Sequence, residues 1–359
     1  MIGRPSGRLL ALSLAALSAV GVPVTGAGAG AQDGAVFKGK TVTLLVGSEP
    51  GGGTDASARL VAPYLRKYLP GQPNVIVQNM PGASGVTALN FFTHRVQPDG
   101  LTVIMGSISM IDPIIFRRST SQYDPKSLGF AGGVGRGGSV IFINKEAEPR
   151  LHDKSAKPVV IGSILAVPRS VLQPALWCIE YLGWNAAWVT GYHGTNEVML
   201  ALDRGEVDMT STGNIFQIQQ RVNSGQLKIV LQTGGLENGK VVPRADFGDA
   251  PLFPDMMQGK ITDPVAQKAF DYWMALNAGD KWLALPPGSP EPMLAAYREA
   301  FKKVTADKEL LEHSESISEG FTPMSPGDVE MIARTLADTP PEALDYAKAL
   351  MRKQGIRIQ

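Results

Sequence analysis

Three glycine-rich turns contain the residues with the most evident capacity for chemistry in this sequence. They lie at residues 51–55, 82–85 and 191–194, and each follows a strand-like run and precedes a helical pattern. A turn of this kind presents unpaired backbone N–H groups at the positive end of a helix dipole. Such turns are suited to binding an anion without a buried Lys or Arg. The alternative interpretation is that glycine turns are simply how strands join helices.

Several enzyme and cofactor sites are disfavoured because the residues that they need are missing from the sequence. The first turn lacks the Lys of a phosphate-binding P-loop, and no Gly-x-Gly-x-x-Gly follows a strand. No Gly-x-Ser-x-Gly hydrolase elbow is present. The histidines form no His-x-x-x-His pair, so we expect neither a metal site nor a cofactor. These histidines are His94, His152, His193 and His313.

Length, charge and composition indicate a large globular protein. The 359 residues include 34 Lys and Arg against 33 Asp and Glu, and a net charge of +1 gives no reason to expect a nucleic acid partner. Apolar residues make up 44% and charged residues 19% of the chain, which is typical of folded domains. The length alone suggests about two domains.

The beginning of the chain, residues 1–31, has the pattern of a secretory signal peptide. Arg4 and Arg8 precede an uncharged apolar stretch at residues 9–24, and residues 29–31 provide a small-x-small cleavage pattern. The alternative is a membrane anchor, which needs about 20 apolar residues and is therefore longer than the stretch at residues 9–24. We therefore expect cleavage before Gln32 and export of the mature chain.

A single cysteine limits how an exported chain can be stabilised. Cys178 cannot form a disulfide within the chain, so the fold must rely on its apolar core. The apolar helical pattern around Cys178 predicts a buried structural thiol rather than a nucleophile.

Alternating strand and helix patterns predict an α/β protein. In the first unit, β-branched and apolar runs predict strands at residues 41–46, 74–78 and 101–105. Helical patterns at residues 54–69 and 86–94 lie between them. This order predicts a parallel sheet with the first two glycine turns at the carboxyl ends of strands.

The same order of elements begins again after a glycine-rich crossing at residues 132–138. The second unit is predicted to contain strands at residues 140–143, 159–162, 187–190, 207–210 and 227–231, with helices at 170–182 and 195–204. After residue 233 the pattern is irregular and then helical, with no further strands. The late helices are predicted at residues 264–272, 290–306 and 326–352.

Helices without strands of their own must cover an existing sheet, so we expect the chain to return to the first unit. The predicted organisation is a signal peptide at residues 1–31 and two lobes joined by crossing segments. The first lobe is discontinuous and comprises residues 32–136 plus 234–359. The second lobe comprises residues 137–233.

Motifs spread along the chain resemble those of one receptor family. The first unit contains Gly52-Gly53-Thr54-Asp55-x-x-Ala58-Arg59-Leu60, then Gln78-Asn79-Met80-Pro81-Gly82-Ala83-Ser84-Gly85, then Pro98-Asp99-Gly100. Further matches follow in the same order at residues 190–197, 201–208 and 285–290. The sequence thus resembles the receptors of the tripartite tricarboxylate transporters, also called the Bug family.

This resemblance implies a periplasmic binding protein and not an enzyme. Such receptors have the type II architecture, in which two lobes, each a mainly parallel sheet flanked by helices, close on a small carboxylate in the cleft between them. The resemblance implies a monomer without a cofactor that delivers its ligand to integral membrane permease subunits. Two alternatives stay open: an exported α/β hydrolase or transferase, and a ligand receptor that partners a sensor protein.

The resemblance also indicates ligand-binding residues by position. Those of the first lobe belong to the two glycine turns and to the end of the third strand, and those of the second lobe belong to two loops. The first set is Ser48, Gly52, Gly53, Thr54, Asp55, Ala83, Ser84, Gly85 and Ser107. The second set is Arg169, Ser170, Tyr192, His193, Gly194 and Thr195.

Three of these positions have alternative interpretations. Asp55 either satisfies backbone donors as the cap or a first-turn acid of the first helix, or holds a ligand ammonium group or an ordered water. Arg169 stands where the family leads us to expect a small residue, and it either binds a ligand carboxylate in bidentate fashion or points to solvent. His193 occupies a place often held by Pro or Lys, so the identity of the ligand stays open.

Overall fold

The fold is given by a computed structural model that describes residues 36–164, 172–237, 239–314 and 321–357. The expected signal peptide, Arg169 and Ser170 lie outside these described residues. Within them, no helix combines the length and the apolar character that crossing a membrane requires.

Strands and helices alternate through the first two thirds of the chain, as the sequence predicts. The first unit consists of β1 Thr41–Val46, α1 Gly53–Tyr68, β2 Asn74–Asn79, α2 Val86–Arg95, β3 Thr102–Ser107, α3 Pro113–Phe116 and β4 Gly129–Gly135. The second unit consists of β5 Val140–Asn144, β6 Val159–Ser163, α4 Gln173–Tyr181, β7 Ala186–Thr190, α5 Thr195–Asp203, β8 Met209–Thr212, α6 Gln219–Asn223 and β9 Leu227–Gln232.

The last third of the chain adds both helices and strands. Its elements are β10 Gly235–Glu237, β11 Lys240–Val242, α7 Phe253–Met257, α8 Pro264–Ala278, β12 Gly279–Leu285, α9 Glu291–Thr305, α10 Lys308–Ser314, β13 Thr322–Met324, α11 Pro326–Ala337 and α12 Pro341–Lys353. The prediction that the late helices have no strands of their own is therefore wrong.

The main sheets share one strand order. The first runs β13-β4-β12-β3-β1-β2 and the second β7-β6-β8-β5-β9, while β10 and β11 form a separate hairpin. In the first sheet β1 lies between β2 and β3, and the reversed strand β12 separates β3 from β4. In the second sheet β6 lies between β7 and β8, and the reversed strand β5 separates β8 from β9. The edge strand β13 is also reversed, whereas the remaining strands of each sheet run in one direction, so both sheets are mainly parallel. The parallel pairing of β1 with β2 and β3 brings their carboxyl ends to one edge.

Helices cover both faces of the first sheet. Neighbouring residues of a strand point to opposite faces, and β1 shows this alternation in its packing. Leu44 lies in a buried cluster with Leu65 of α1 and Tyr297 of α9. Leu45 lies in a different cluster, together with Leu336 of α11. Each fully buried side chain of this kind stabilises the fold by about 1.5–3 kcal/mol.

Two late helices pack in the core of the second sheet. Phe270 and Trp273 of α8 and Leu350 of α12 share a buried cluster with Trp177 and Cys178 of α4. The expected burial of the cysteine is confirmed, and burial raises the pKa of its thiol well above the usual value. Strands β12 and β13 pair within the first sheet, so residues 234–359 contribute to both cores. The predicted lobe boundaries stay a prediction.

Two connections join the sheets and pair with each other. The N–H of Ser139 donates to Oγ1 of Thr233 at 2.8 Å, and the N–H of Thr233 donates to the carbonyl oxygen of Ser139 at 2.8 Å. Gly138 next to them has a φ of 82°, and a Cβ at this position would lie 2.4 Å from the carbonyl oxygen of Gly234. Glycine is therefore required at this close approach.

Candidate ligand-binding site

The loops that follow β1, β2 and β3 meet at the carboxyl edge of the first sheet and enclose a pocket of about 320 Å³. This volume falls within the range of small-molecule sites. Its lining residues are Gly47, Ser48, Glu49, Thr54, Pro81, Gly82, Ser84, Ser107, Ser109 and Met110. The predicted site residues that line it directly are therefore Ser48, Thr54, Ser84 and Ser107.

Ser48 contributes an unsatisfied hydroxyl to this pocket. Its Oγ is buried and has no hydrogen-bond partner among the described residues. A buried hydroxyl without a partner costs about 1–3 kcal/mol, so native proteins rarely leave one unpaired without a reason. A ligand oxygen in the pocket would supply the missing partner.

Asp55 holds the first glycine turn in place through hydrogen bonds. Its Oδ2 accepts hydrogen bonds from the N–H of Gly51 at 2.8 Å and from Nε of Arg59 at 2.9 Å, and its Oδ1 accepts from Nδ2 of Asn79 at 2.9 Å. The Arg59 hydrogen bond is the main cause that lowers the pKa of Asp55 to about 2, against the opposing effect of burial. Both carboxylate oxygens are thus used within the protein.

Asp55 lies in the first turn of α1 and accepts a hydrogen bond from a backbone N–H, which confirms the prediction of a first-turn acid but not that of a helix cap. The residue that caps α1 is Gly52, and the cap has no side-chain hydrogen bond. Asp55 instead reaches back to Gly51, and its side chain is 2% exposed in the ion pair with Arg59. The structure therefore gives Asp55 the role of holding the turn in shape.

Asn79 connects the first two loops of the pocket. Its Nδ2 donates to the carbonyl oxygen of Ser48 at 3.0 Å as well as to Asp55, and its Oδ1 accepts from Arg59 at 3.1 Å. Sequence reasoning quoted Arg59 and Asn79 as motif residues but assigned them no role. Two features of the sequence could have indicated a role. Asn79 is a polar residue at the end of a strand, and Arg59 follows Asp55 by one helical turn.

The second glycine turn has a strained backbone. Ala83 and Ser84 adopt left-handed φ values of 48° and 60°, and Gly85 follows with 91°. The left-handed backbone conformation costs a residue other than glycine roughly 1–2 kcal/mol. Backbone strain of this kind is concentrated at functional sites. A Cβ at Gly85 would lie 2.7 Å from Cε of Met110, so the turn also packs closely against the third loop.

Ser107 ends β3 and is supported by β12. Its carbonyl oxygen accepts a hydrogen bond from Nε1 of Trp282 at 3.0 Å, and its Oγ lies 2.7 Å from Oγ of Ser109. The reversed strand β12, which the sequence did not predict, therefore positions one wall of the pocket.

The predicted residues of the second lobe lie apart from this pocket. Gly191 and Tyr192 donate their N–H groups to the carbonyl oxygen of Ser163 at 3.0 and 3.2 Å, and the N–H of His193 donates to Glu197 at 2.6 Å. Gly194 precedes α5, and Thr195 begins it. The pocket formed by the loops after β1, β2 and β3 is called the strand-end pocket below. Its described lining residues all come from the first unit, so the structure does not bring the turn at residues 191–194 to this pocket.

Metal-binding groups are not clustered in the described part of the chain. Those residues contain no group of three or more His, Cys, Asp or Glu side chains placed to hold a metal ion.

Comparison with known proteins gives one local sequence match. A segment of 94 residues is 36% identical to Protein BugT of Bordetella pertussis, which corresponds to 26% of this chain and 28% of BugT. The chain thus matches little more than a quarter of the length of this relative. No model of a protein family matches the sequence.

A solved structure shows the same fold over most of the chain. A TctC solute binding protein from Polaromonas has a TM-score of 0.62 at 18% identity, over 88% of this chain and 98% of that protein. The periplasmic binding protein BugD has a TM-score of 0.46 at 18% identity, over 89% and 99% of the two chains. The local match to BugT is a similarity of one segment, and the likeness to the TctC protein is a likeness of fold; both agree with the resemblance that the motifs indicate.

Proposed function

We propose that this protein is a periplasmic receptor that captures a small organic carboxylate and delivers it to the permease subunits of a tripartite tricarboxylate transporter. The observation that carries the proposal is the buried, unpartnered hydroxyl of Ser48 in a pocket built from three strand-end loops. The motifs and the match to BugT support the same function.

The pocket is suited to an anion through neutral donors. Helices α1 and α2 begin at its border, and their first backbone N–H groups have no partner within the helix. Hydroxyl groups of Ser48, Thr54 and Ser84 add further donors. Among the described lining residues the charged side chain is that of Glu49, which is exposed. A carboxylate would therefore be held by hydroxyl and backbone donors.

Calorimetric titration with acetate, succinate and citrate tests this function. We expect at least one of these acids to bind and to be recovered unchanged after incubation. Substitution Ser48→Ala should weaken its binding by roughly 10- to 150-fold, which corresponds to about 1.5–3 kcal/mol for a hydrogen bond to a charged group. The matched variant Ser224→Ala changes an exposed serine beside α6 and should bind like the unmodified protein.

Two results would contradict the proposal. Conversion of the acid into a product would assign the protein to the enzymes. Equal affinity of the Ser48→Ala and Ser224→Ala variants would show that the pocket is not the carboxylate site. Delivery to a permease has its own test: deletion of the gene should abolish uptake of the bound acid by intact cells.

A further inference from the structure

A second cavity, of about 660 Å³, adjoins the strand-end pocket. Ser109 lines both spaces, so the two are neighbours at the end of β3. The walls of the larger cavity come from the turn after β3, from α3 and α4, and from the late helices α8 and α12. This cavity therefore lies where elements of the two sheets meet.

The walls of this second cavity are mostly apolar, with cationic groups among them. Its apolar lining includes Ile108, Leu176, Trp177, Leu276, Leu344 and Met351. Positive charge is provided by Arg118, Arg136 and Lys348, and the carboxylate among the described lining residues is that of Asp112. Two of these cations have anionic neighbours, because Arg136 lies 3.9 Å from Asp280 and Lys348 lies 3.2 Å from Asp345. The carboxylate of Asp112 is already used, because it accepts hydrogen bonds from the N–H of Ile114 and from the hydroxyl of Tyr272.

One polar group of the cavity wall lacks a partner. Trp273 lines the cavity and is 4% exposed, and its Nε1 has no hydrogen-bond acceptor among the described residues. Buried indole N–H groups usually find an acceptor. Both orphaned polar atoms of the described structure, Oγ of Ser48 and Nε1 of Trp273, thus belong to residues that line these two neighbouring spaces.

We infer that the ligand is an amphipathic acid whose carboxylate occupies the strand-end pocket and whose apolar body occupies the larger cavity beside it. The inference rests on the proposed function, from which it takes the position of the carboxylate. A compact acid would leave the apolar walls of the larger cavity without a partner. An elongated acid buries its hydrocarbon against Leu176, Leu276 and Leu344, and binding then depends on chain length.

A homologous series of acids tests this dependence. Acetate, butanoate, hexanoate and octanoate are titrated into the purified protein by calorimetry. We expect the affinity to rise about fourfold for each added methylene, the equivalent of about 0.8 kcal/mol. Equal affinities along the series would overturn the inference and leave the proposed function intact.

Helix α12 offers a matched pair of variants that tests the place of the apolar body. Ala347 lines the cavity, whereas Ala349 on the same helix is exposed and is not part of its lining. Ala347→Trp should fill the cavity and weaken octanoate binding at least tenfold while acetate binding stays the same. Ala349→Trp should change neither. Leu344→Phe provides a smaller filling substitution, and its weaker effect on octanoate should follow the same direction.

The Ser48→Ala variant separates the two proposals. If both are right, this variant weakens every acid by the same factor and leaves the length dependence unchanged. A length dependence that persists while Ser48→Ala has no effect would place the carboxylate elsewhere and would overturn the inference. If Ser48→Ala weakens acetate and Ala347→Trp leaves octanoate binding unchanged, the proposed function stands and the inference fails.

Discussion

Asp55 and Asn79 are the residues on which the shape of the pocket depends. Asn79 holds the carbonyl group of Ser48 and the carboxylate of Asp55, which in turn holds the N–H of Gly51. These bonds connect positions up to 31 residues apart. Ser48 lines the pocket and is held through its backbone carbonyl group, so its hydroxyl group stays available to a ligand. Loss of this network should loosen the loops before it removes any ligand contact.

Acid stability should reveal the charge of Asp55. Because its pKa in the folded state is lowered from 3.8 to about 2, the ionised carboxylate stabilises the fold above pH 4. This contribution is lost as the pH falls from about 4 to 2. Substitution Asp55→Asn should lower the free energy of unfolding at pH 7 and reduce the difference between pH 4 and pH 2, measured by urea denaturation.

The exposed Asp345 on α12 provides the control for this experiment. Asp345→Asn also removes one carboxylate, but from a side chain that is 75% exposed. Its pH profile should match that of the unmodified protein. An Asp55→Asn profile that also matched would contradict the stabilising role of the Asp55 network.

At the scale of secondary structure, the sequence predicts most elements of the two units, and the exceptions have physical reasons. Four of the seven residues of strand β4 are glycine, so the strand largely lacks the β-branched character of other strands. Strand β12 begins with Gly279, Asp280 and Lys281, and only four buried residues follow them. It also continues directly from α8, so the apolar pattern of the helix conceals where the strand begins.

The predicted terminal helix at residues 326–352 is in fact two helices. Pro340 and Pro341 interrupt it, and a proline inside a helix removes a backbone hydrogen bond. Thr339 precedes a proline and is also disfavoured in a helix. The chain consequently ends α11 at Ala337 and begins α12 at Pro341. The periodicity predicted the helical character of the segment, whereas the two prolines marked a break that the sequence reasoning missed.

The site was predictable to a similar extent. Motifs predicted the loops after β1, β2 and β3 and four of the side chains that line the pocket. They did not predict which atoms lack partners, because this depends on contacts between segments far apart in sequence. Trp282, for example, supports Ser107 across 175 residues.

Close packing of β12 against β3 gives a prediction for Gly106. A Cβ at this position would lie 2.1 Å from the ring of Trp282, a fully buried side chain that also packs edge-on against Phe130. Substitution Gly106→Ala should therefore destabilise the protein by about 3 kcal/mol, near the upper end of overpacking costs. The free energy of unfolding from urea denaturation measures this effect.

Gly235 in the separate hairpin is the matched position for this substitution. A Cβ there meets no atom within 4 Å, so Gly235→Ala should leave stability nearly unchanged. Equal stability of the two variants would show that β3 and β12 are not held as closely as described.

At the scale of the whole molecule, charge plays a small part in the expected binding behaviour. The chain carries a net charge of +1, and the described lining of the strand-end pocket contains no Lys or Arg. Long-range attraction of an anionic ligand should therefore be weak, and backbone and hydroxyl donors act only at short range.

Salt dependence and ligand linkage test this expectation together. Affinity for the bound acid should change less than about threefold between low and moderate salt, because the described lining of the pocket proposed for the carboxylate has no Lys or Arg whose charge salt would screen. The ligand should also stabilise the fold, by about 2.7 kcal/mol at a hundredfold excess over its dissociation constant. A steep loss of affinity in salt, measured by the same titration, would instead assign recognition to exposed cationic side chains.

The paired connections between the sheets have a mechanical consequence. Ser139 and Thr233 bind each other across the two connections, and Gly138 and Gly234 touch there with no room for a side chain. Two connecting segments that are hydrogen-bonded to each other bend jointly but resist twisting. The two sheets are therefore expected to rotate about one shared axis. A single spectroscopic distance, between labels near Ser84 and near Tyr192, would then follow the complete motion. Bulk at Gly138 should restrict this rotation without touching the pocket.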